Sequence, residues 1–371
     1  MLSYWEKEYW FPNYDYCIVG AGIVGLTTAL FLKEKNPDKK IVILDRSSLP
    51  LGASTKNAGF ACYGTVGEIL DDLKDITEEE VISTISLRWR GLQLLQELHS
   101  SESITYKQVG GTELFRKKAD FEKCADHLSY ANELLLEATG KKESIYASEQ
   151  TFSSVLYNRT LYNPLEGSLN PVRLITLLIA KLKKVGVDIL LGMALEEYSI
   201  HQSEILAKVG PDLSLQTKNL IFATNAFTST FFPEMDIVPA RNQVLVSDPI
   251  PALKLLGTFH LDRGYTYFRN ISNRLLIGGA RNLDHENETT ELFGPNELIQ
   301  TYLRDFVTTD LGFMNTSFSH SWSGIIATGK SKNPVIRQVD NHIYVAARLG
   351  GMGVATGSAV AEKLVQLVLK N

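Results

Sequence analysis

The strongest chemical signal in this sequence is a set of glycines rather than a set of reactive side chains. Gly20, Gly22 and Gly25 follow the apolar run Tyr16-Cys17-Ile18-Val19 and lead through Ile23 and Val24 into Leu26-Thr27-Thr28-Ala29-Leu30. At this spacing the first glycine permits a sharp strand-to-helix turn and the second lets backbone approach a pyrophosphate. The third lets the helix pack close to the strand. The free N–H groups and positive end of the helix then favour an anion. A second apolar run, Lys40-Ile41-Val42-Ile43-Leu44, ends at Asp45, twenty residues past Gly25, where such a site places an acid on a ribose hydroxyl.

Three further loops of small residues extend the pattern. Gly52-Ala53-Ser54-Thr55-Lys56-Asn57-Ala58-Gly59 follows the second strand, and Ala223-Thr224-Asn225-Ala226 closes a later buried one. Gly350-Gly351-Met352-Gly353-Val354 precedes the last helix. A nicotinamide enzyme has no special use for the loop at 52–59. A longer dinucleotide can use it to carry the chain along the cofactor towards its redox ring.

Side chains for acid–base or metal chemistry are not grouped. His260, His285, His320 and His342 are candidates by type only and read as ordinary surface or hydrogen-bonded histidines. Cys17, Cys62 and Cys124 lie far apart with no metal-ligand or paired spacing, so no metal is expected. Tyr265, Tyr267 and Arg269 alternate, which puts all three on one face of a strand. That face is either a pocket wall or a solvated surface. Arg348 stands just before the C-terminal glycine loop.

The elements that must position these residues form two textures. Strand–helix alternation covers the start of the chain, resumes at Asn170-Pro171 with a helix to Val185, continues through Val187–Leu191 and Leu220–Ala226, and returns after Ile343. Residues 66–150 read as a helical insertion broken by Gly110–Phe115, and 241–335 as alternating strands of a mostly antiparallel sheet. The expected division is therefore a discontinuous cofactor domain of residues 1–65, 151–240 and 336–371, with a second domain of 66–150 and 241–335. The aromatic leader Tyr4, Trp5, Tyr9, Trp10 and Phe11 is expected to pack over a groove near the first strand, the other reading being a ligand entrance.

The bulk properties bound the partners. A chain of 371 residues with 44% hydrophobic and 21% charged residues is an ordinary globular composition, long enough for two domains. Its net charge of −5 offers no basic face for nucleic acid. No run approaches the ~20 apolar residues of a membrane span. The first residues carry neither an apolar run nor a cleavage site, and a cytoplasmic protein is expected.

In this order the motifs resemble those of FAD-dependent oxidoreductases of the D-amino-acid oxidase superfamily, nearest the glycine oxidase, sarcosine oxidase and γ-glutamylputrescine oxidase branches. Gly167 with Asn170-Pro171 and Trp322-Ser323-Gly324 strengthen the likeness, which covers nearly the whole chain. The resemblance implies an α/β fold. A Rossmann-type FAD domain like that of glutathione reductase would join an α+β substrate domain whose large sheet roofs the flavin. It implies hydride transfer from the C–N carbon of a small amino acid or amine to flavin N5, giving an imine that hydrolyses. The acceptor for the electrons is left open between oxygen, a quinone and a protein. A non-catalytic flavin-binding or redox-sensing protein is the rival from another class.

Carried over residue by residue, Gly20, Gly22, Ile23, Val24 and Gly25 would cradle the pyrophosphate, and Asp45, in place of the family's Glu, the ribose. Arg46 would flank the adenine, and Ser54, Thr55, Lys56, Asn57 and Ala58 would run towards the flavin, with Ala223 and Thr224 beside it. Gly350, Gly351, Met352, Gly353 and Val354 would lie against the flavin's pyrimidine edge, Met352 standing where the family often has His. No cysteine lies near that loop, so non-covalent FAD is expected. Ile326 occupies the position of the glycine-oxidase arginine, and Ala355 and Leu276 those of two sarcosine-oxidase lysines. A substrate carboxylate would then fall to Arg269, Arg348 or Lys56.

Overall fold

A computed structural model of the chain describes residues 2–99, 103–142, 144–149, 156–202, 204–211 and 213–370. These fall into two compact units, one of residues 1–55, 171–238 and 326–371, the other of 56–170 and 239–325. The second boundary lies near 170 rather than 150. The strands Arg159–Asn163 and Gly167–Ser168 pair with Gly111–Glu113 and Phe60–Ala61, all within the second unit.

The first unit is a Rossmann-type layered fold. Its central strands run in the order Ile343–Ala347, Leu213–Phe222, Tyr14–Val19, Ile41–Asp45, Asp188–Leu191, all parallel. Val335–Asp340 extends one end as an antiparallel edge. Ile41–Leu44 and Cys17–Ile18 are completely buried, which is why these strands read as continuous apolar runs rather than alternating ones. The helix Ile23–Lys35 is buried on nearly all sides because Gly353–Val368 and Pro171–Lys184 both pack on it. Gly357 permits the first of these contacts: a Cβ there would stand 2.6 Å from Ile23 Cγ2.

One expectation fails in this unit. The aromatic leader forms a short helix, Tyr4–Trp10, capped by Ser3 and Glu6, with none of its residues buried. Trp5 and Tyr9 are 77% and 80% exposed, so they pack over no groove of this unit, and only Phe11 turns inward.

The second unit is built on an eight-stranded sheet ordered Phe318–Thr328, Val238–Ser247, Arg274–Gly279, Thr266–Ile271, Thr258–Leu261, Gly111–Glu113, Arg159–Asn163, Tyr146–Glu149. Thr258–Leu261 and Gly111–Glu113 form a parallel pair among antiparallel neighbours. Period-two alternation gives the sheet two different faces. Leu245, Phe259, Leu261, Phe268, Leu275 and Ile277 pack against Ile299, Leu303 and Phe306. Their sequence neighbours Val244, Val246 and Leu276 face the other way, with Ala58, Tyr267 and Trp322. The insertion contributes the helices Val66–Asp72, Glu78–Leu98, Lys118–Asp126 and Leu128–Thr139. The longest is started by the reciprocal cap of Thr77 and Glu80.

Candidate functional site

In the first unit each glycine of the opening motif has a distinct steric reason. Gly20 sits at φ +110°, and a Cβ on it would come 2.6 Å from the Ala223 carbonyl oxygen. On Gly25 it would come 2.0 Å from the Gly20 carbonyl oxygen, inside any allowed contact, so this glycine sets the helix-to-strand distance. On Gly22, the helix N-cap, it would meet only the Ser54 side chain, its hydroxyl at 2.9 Å. The Ile23 N–H donates to Ser54 Oγ and the Ala21 N–H to Asp45 Oδ2, both at 2.9 Å. The Ser47 N–H donates to the other oxygen, Asp45 Oδ1. Asp45 therefore braces the turn, its remaining lone pairs being those a ribose hydroxyl would use. The first helical turn contains no acidic residue, so its positive end is left for an anion.

The other expected cofactor residues of this unit divide by what holds them. Arg46 is exposed, its guanidinium 3.8 Å over the Phe227 ring. The Thr55 hydroxyl is turned back to the Pro50 and Gly52 carbonyls, and the Thr224 hydroxyl meets that of Thr228. Ala223 and Thr224 end the Leu213–Phe222 strand where Gly20 approaches most closely. Gly350 has φ +58°, and at both Gly350 and Gly351 a Cβ would meet nothing within 4 Å, so open space lies before the helix that Met352 caps. A glycine cradle, an acid-free helix terminus and this open loop together fit a bound dinucleotide.

Arg348 needs correcting as a substrate-binding candidate. Four of its donors are taken: Nε and Nη2 by the Asn333 carbonyl, Nη1 by the Asp236 carbonyl and carboxylate. It anchors the glycine loop from behind instead. Ile326 is half-buried near the end of the strand Phe318–Thr328.

In the second unit the loop after Thr55 is fastened by its backbone. Trp322 Nε1 donates to the Lys56 carbonyl at 2.8 Å, and Gly324 leaves room for Lys56 Cβ. Lys56 Nζ lies 5.4 Å from the Phe293 ring centre, and Asn57 Oδ1 accepts the Gly59 N–H. Arg269 Nε donates to the Ala58 carbonyl at 2.6 Å and Nη2 to the Leu169 carbonyl at 3.0 Å. Tyr267 shares the Arg269 face, but Tyr265 does not. The strand begins only at Thr266, after a turn with Asp262 and Arg263 at positive φ, and leaves Tyr265 43% exposed. Arg269 is 8% exposed, so the solvated-face reading fails for it; burial pulls its pKa down to about 10.

With this geometry in place, the family model described as FAD dependent oxidoreductase matches residues 15–367. The chain belongs to this family. A probable oxidoreductase of Haemophilus influenzae, OrdL, is 22% identical over 379 residues, spanning 95% of this chain and 83% of that protein. Two solved structures share the fold at a TM-score of 0.77. L-Proline dehydrogenase from P. horikoshii is 18% identical, with 96% of this chain and 94% of that one covered. Glycine oxidase from Geobacillus kaustophilus is 16% identical, with 97% and 95% covered.

This FAD-dependent oxidoreductase also holds a buried polar cluster that the sequence reading passed over. His260 Nε2 meets Glu166 Oε2 at 3.0 Å, with Cys62 beside them. Burial alone would lower the His260 pKa, but the carboxylates of Glu166, Glu113 and Glu68 together outweigh it and raise it. Glu113, on the neighbouring strand, accepts the Gly67 N–H through both oxygens; burial still pushes its carboxyl up to about 7. Arg88 pairs with Glu68 and the Tyr63 carbonyl. A lone histidine and scattered acids gave no local signal, because 62, 113, 166 and 260 meet only through sheet pairing.

Proposed function

We propose that this FAD-dependent oxidoreductase oxidises the C–N bond of a small α-amino acid or amine, with Arg269 holding the carboxylate where the substrate has one. When bound, FAD supplies the hydride acceptor, and water hydrolyses the imine product. The observation that carries the substrate reading is Arg269 itself. Its guanidinium is buried on the Tyr267 face of the sheet, its hydrogen bonds go to two neutral carbonyls, and no carboxylate pairs with it among the described residues. A buried charge without a counter-ion is unfavourable, and a substrate carboxylate both neutralises it and suits the fork of remaining donors. The apolar group of Ala58, Val244, Val246 and Leu276, with Phe60, Tyr267 and Trp322, covers the same face. Such surroundings exclude water and favour the neutral amine over the ammonium ion. A second reading, electron transfer to a quinone or protein instead of oxygen, rests on Leu276 standing where the sarcosine-oxidase branch has a lysine.

The test is anaerobic bleaching of the flavin by a panel of amino acids and amines, repeated with Arg269→Ala. Loss confined to carboxylate-bearing compounds supports the clamp. Equal loss for all compounds reduces Arg269 to a tie between the loops at Ala58 and Leu169. Failure of every compound to bleach the native protein favours the redox-sensing rival.

A further inference from the structure

The three buried residues Cys62, Glu166 and His260 reach one point from three separate segments. Cys62 follows the short strand Phe60–Ala61, Glu166 precedes its partner strand Gly167–Ser168, and His260 lies in the large sheet. The Cys62 sulfur, a Glu166 oxygen and one ring nitrogen of His260 all lie within 4.8 Å of one another. Their exposures are 6%, 1% and 7%. In a thiol–imidazole–carboxylate relay the acid and thiol occupy opposite ring nitrogens. Convergence on one nitrogen is instead what a metal ion requires. A tetrahedral zinc site holds its ligand atoms roughly 3.3–3.8 Å apart, so shifts of about 1 Å would complete the arrangement.

A separate observation points to the same place. A cavity of about 10 Å³, room for one water, is lined by Glu166, His260, Glu113 and Asn163. Asn163 is 4% exposed, and its Oδ1 accepts from the Leu165 N–H and the Tyr63 hydroxyl, which fixes the amide orientation. Its Nδ2 has no partner among the described residues. That buried donor borders the same small cavity as Glu166 and His260, where a water bound to an ion would find a partner.

We propose that Cys62, Glu166 and His260 bind one divalent transition-metal ion, zinc in preference, with a water beside Asn163 as fourth ligand. A mixed sulfur, nitrogen and oxygen set suits this borderline ion and is poor for magnesium or calcium. Binding expels the Cys62 thiol proton and the proton between His260 and Glu166. Two protons leave as a doubly charged ion enters, so the buried cluster keeps its net charge. The ion would staple the Phe60–Ala61 segment to the large sheet.

The test is metal analysis of the flavin-loaded protein, as purified and after incubation with zinc followed by gel filtration. About one equivalent of zinc per chain is expected, with Cys62 shielded from thiol reagents. Cys62→Ser and Glu166→Gln should each weaken zinc retention at least tenfold while the flavin stays bound. Should either variant misfold, cobalt substitution of the native protein decides. A thiolate-to-cobalt charge-transfer band, read against zinc-loaded protein to remove the flavin spectrum, supports the site. Sub-stoichiometric zinc after loading, undiminished retention in both variants, or cobalt uptake without that band overturns it.

Discussion

Gly22 and Gly25 stand three residues apart in one motif, yet alanine should damage them in different ways. On Gly25 a Cβ would lie 2.0 Å from the backbone oxygen of Gly20, and no side-chain rotation relieves a clash with backbone. The helix Ile23–Lys35 must move off the sheet, an overpacking penalty of about 3 kcal/mol. That is a fall of on the order of 5–10 °C in the melting temperature of FAD-free protein. On Gly22 the new methyl meets the Ser54 hydroxyl at 2.9 Å, and that hydroxyl can turn away. The loss is then the cap on Ile23 N–H, about 1 kcal/mol. The methyl would instead keep a pyrophosphate from the helix terminus. Losing one charge-assisted hydrogen bond of about 1.5–3 kcal/mol weakens FAD roughly 10- to 150-fold. Thermal unfolding of the deflavinated proteins and FAD titration separate the two effects. Gly52→Ala is the control, since its Cβ meets nothing within 4 Å. A Gly22→Ala protein that binds FAD like the native one, or a Gly25→Ala protein of native stability, would refute the steric reasoning.

Other substitutions probe the remaining parts. Arg348→Lys should cost about 1–3 kcal/mol by loosening the Asp236 and Asn333 contacts, while leaving the ranking of substrates unchanged; a selective loss of carboxylate substrates would restore Arg348 to the pocket. Arg88→Met removes the guanidinium that Glu68 pairs with and should destabilise by about 3 kcal/mol, with partial recovery in the double variant that also carries Glu68→Met; an additive double variant would show that the pair is not coupled. Burial lifts Glu113 from 4.5 to about 7, so between those values the folded chain holds a proton that the unfolded chain releases. Stability is then highest at low pH within that window and falls as pH rises through it. Melting temperatures of EDTA-treated protein should show this slope, and Glu113→Gln should flatten it; an unchanged slope in the variant assigns the effect elsewhere.

What could be read from the chain depended on whether the physical cause was local. The dinucleotide turn was legible because its three glycines and the burial of the two flanking strands follow from contacts within one βαβ unit. Tyr265 was misplaced because alternation is blind to where a strand starts, and a turn at positive φ, not side-chain pattern, sets that start. Arg269 and Arg348 looked alike as cations beside glycine-rich or aromatic segments. Only the partners separate them, since Asp236 neutralises one and nothing among the described residues neutralises the other. Cys62, Glu113, Glu166 and His260 are the extreme case, brought together by strand pairings across up to about two hundred residues of sequence. The cofactor end of the molecule is thus written in short-range spacing. The substrate role proposed for Arg269 rests on a buried charge without a counter-charge among the described residues, and that appears only once the sheet is assembled.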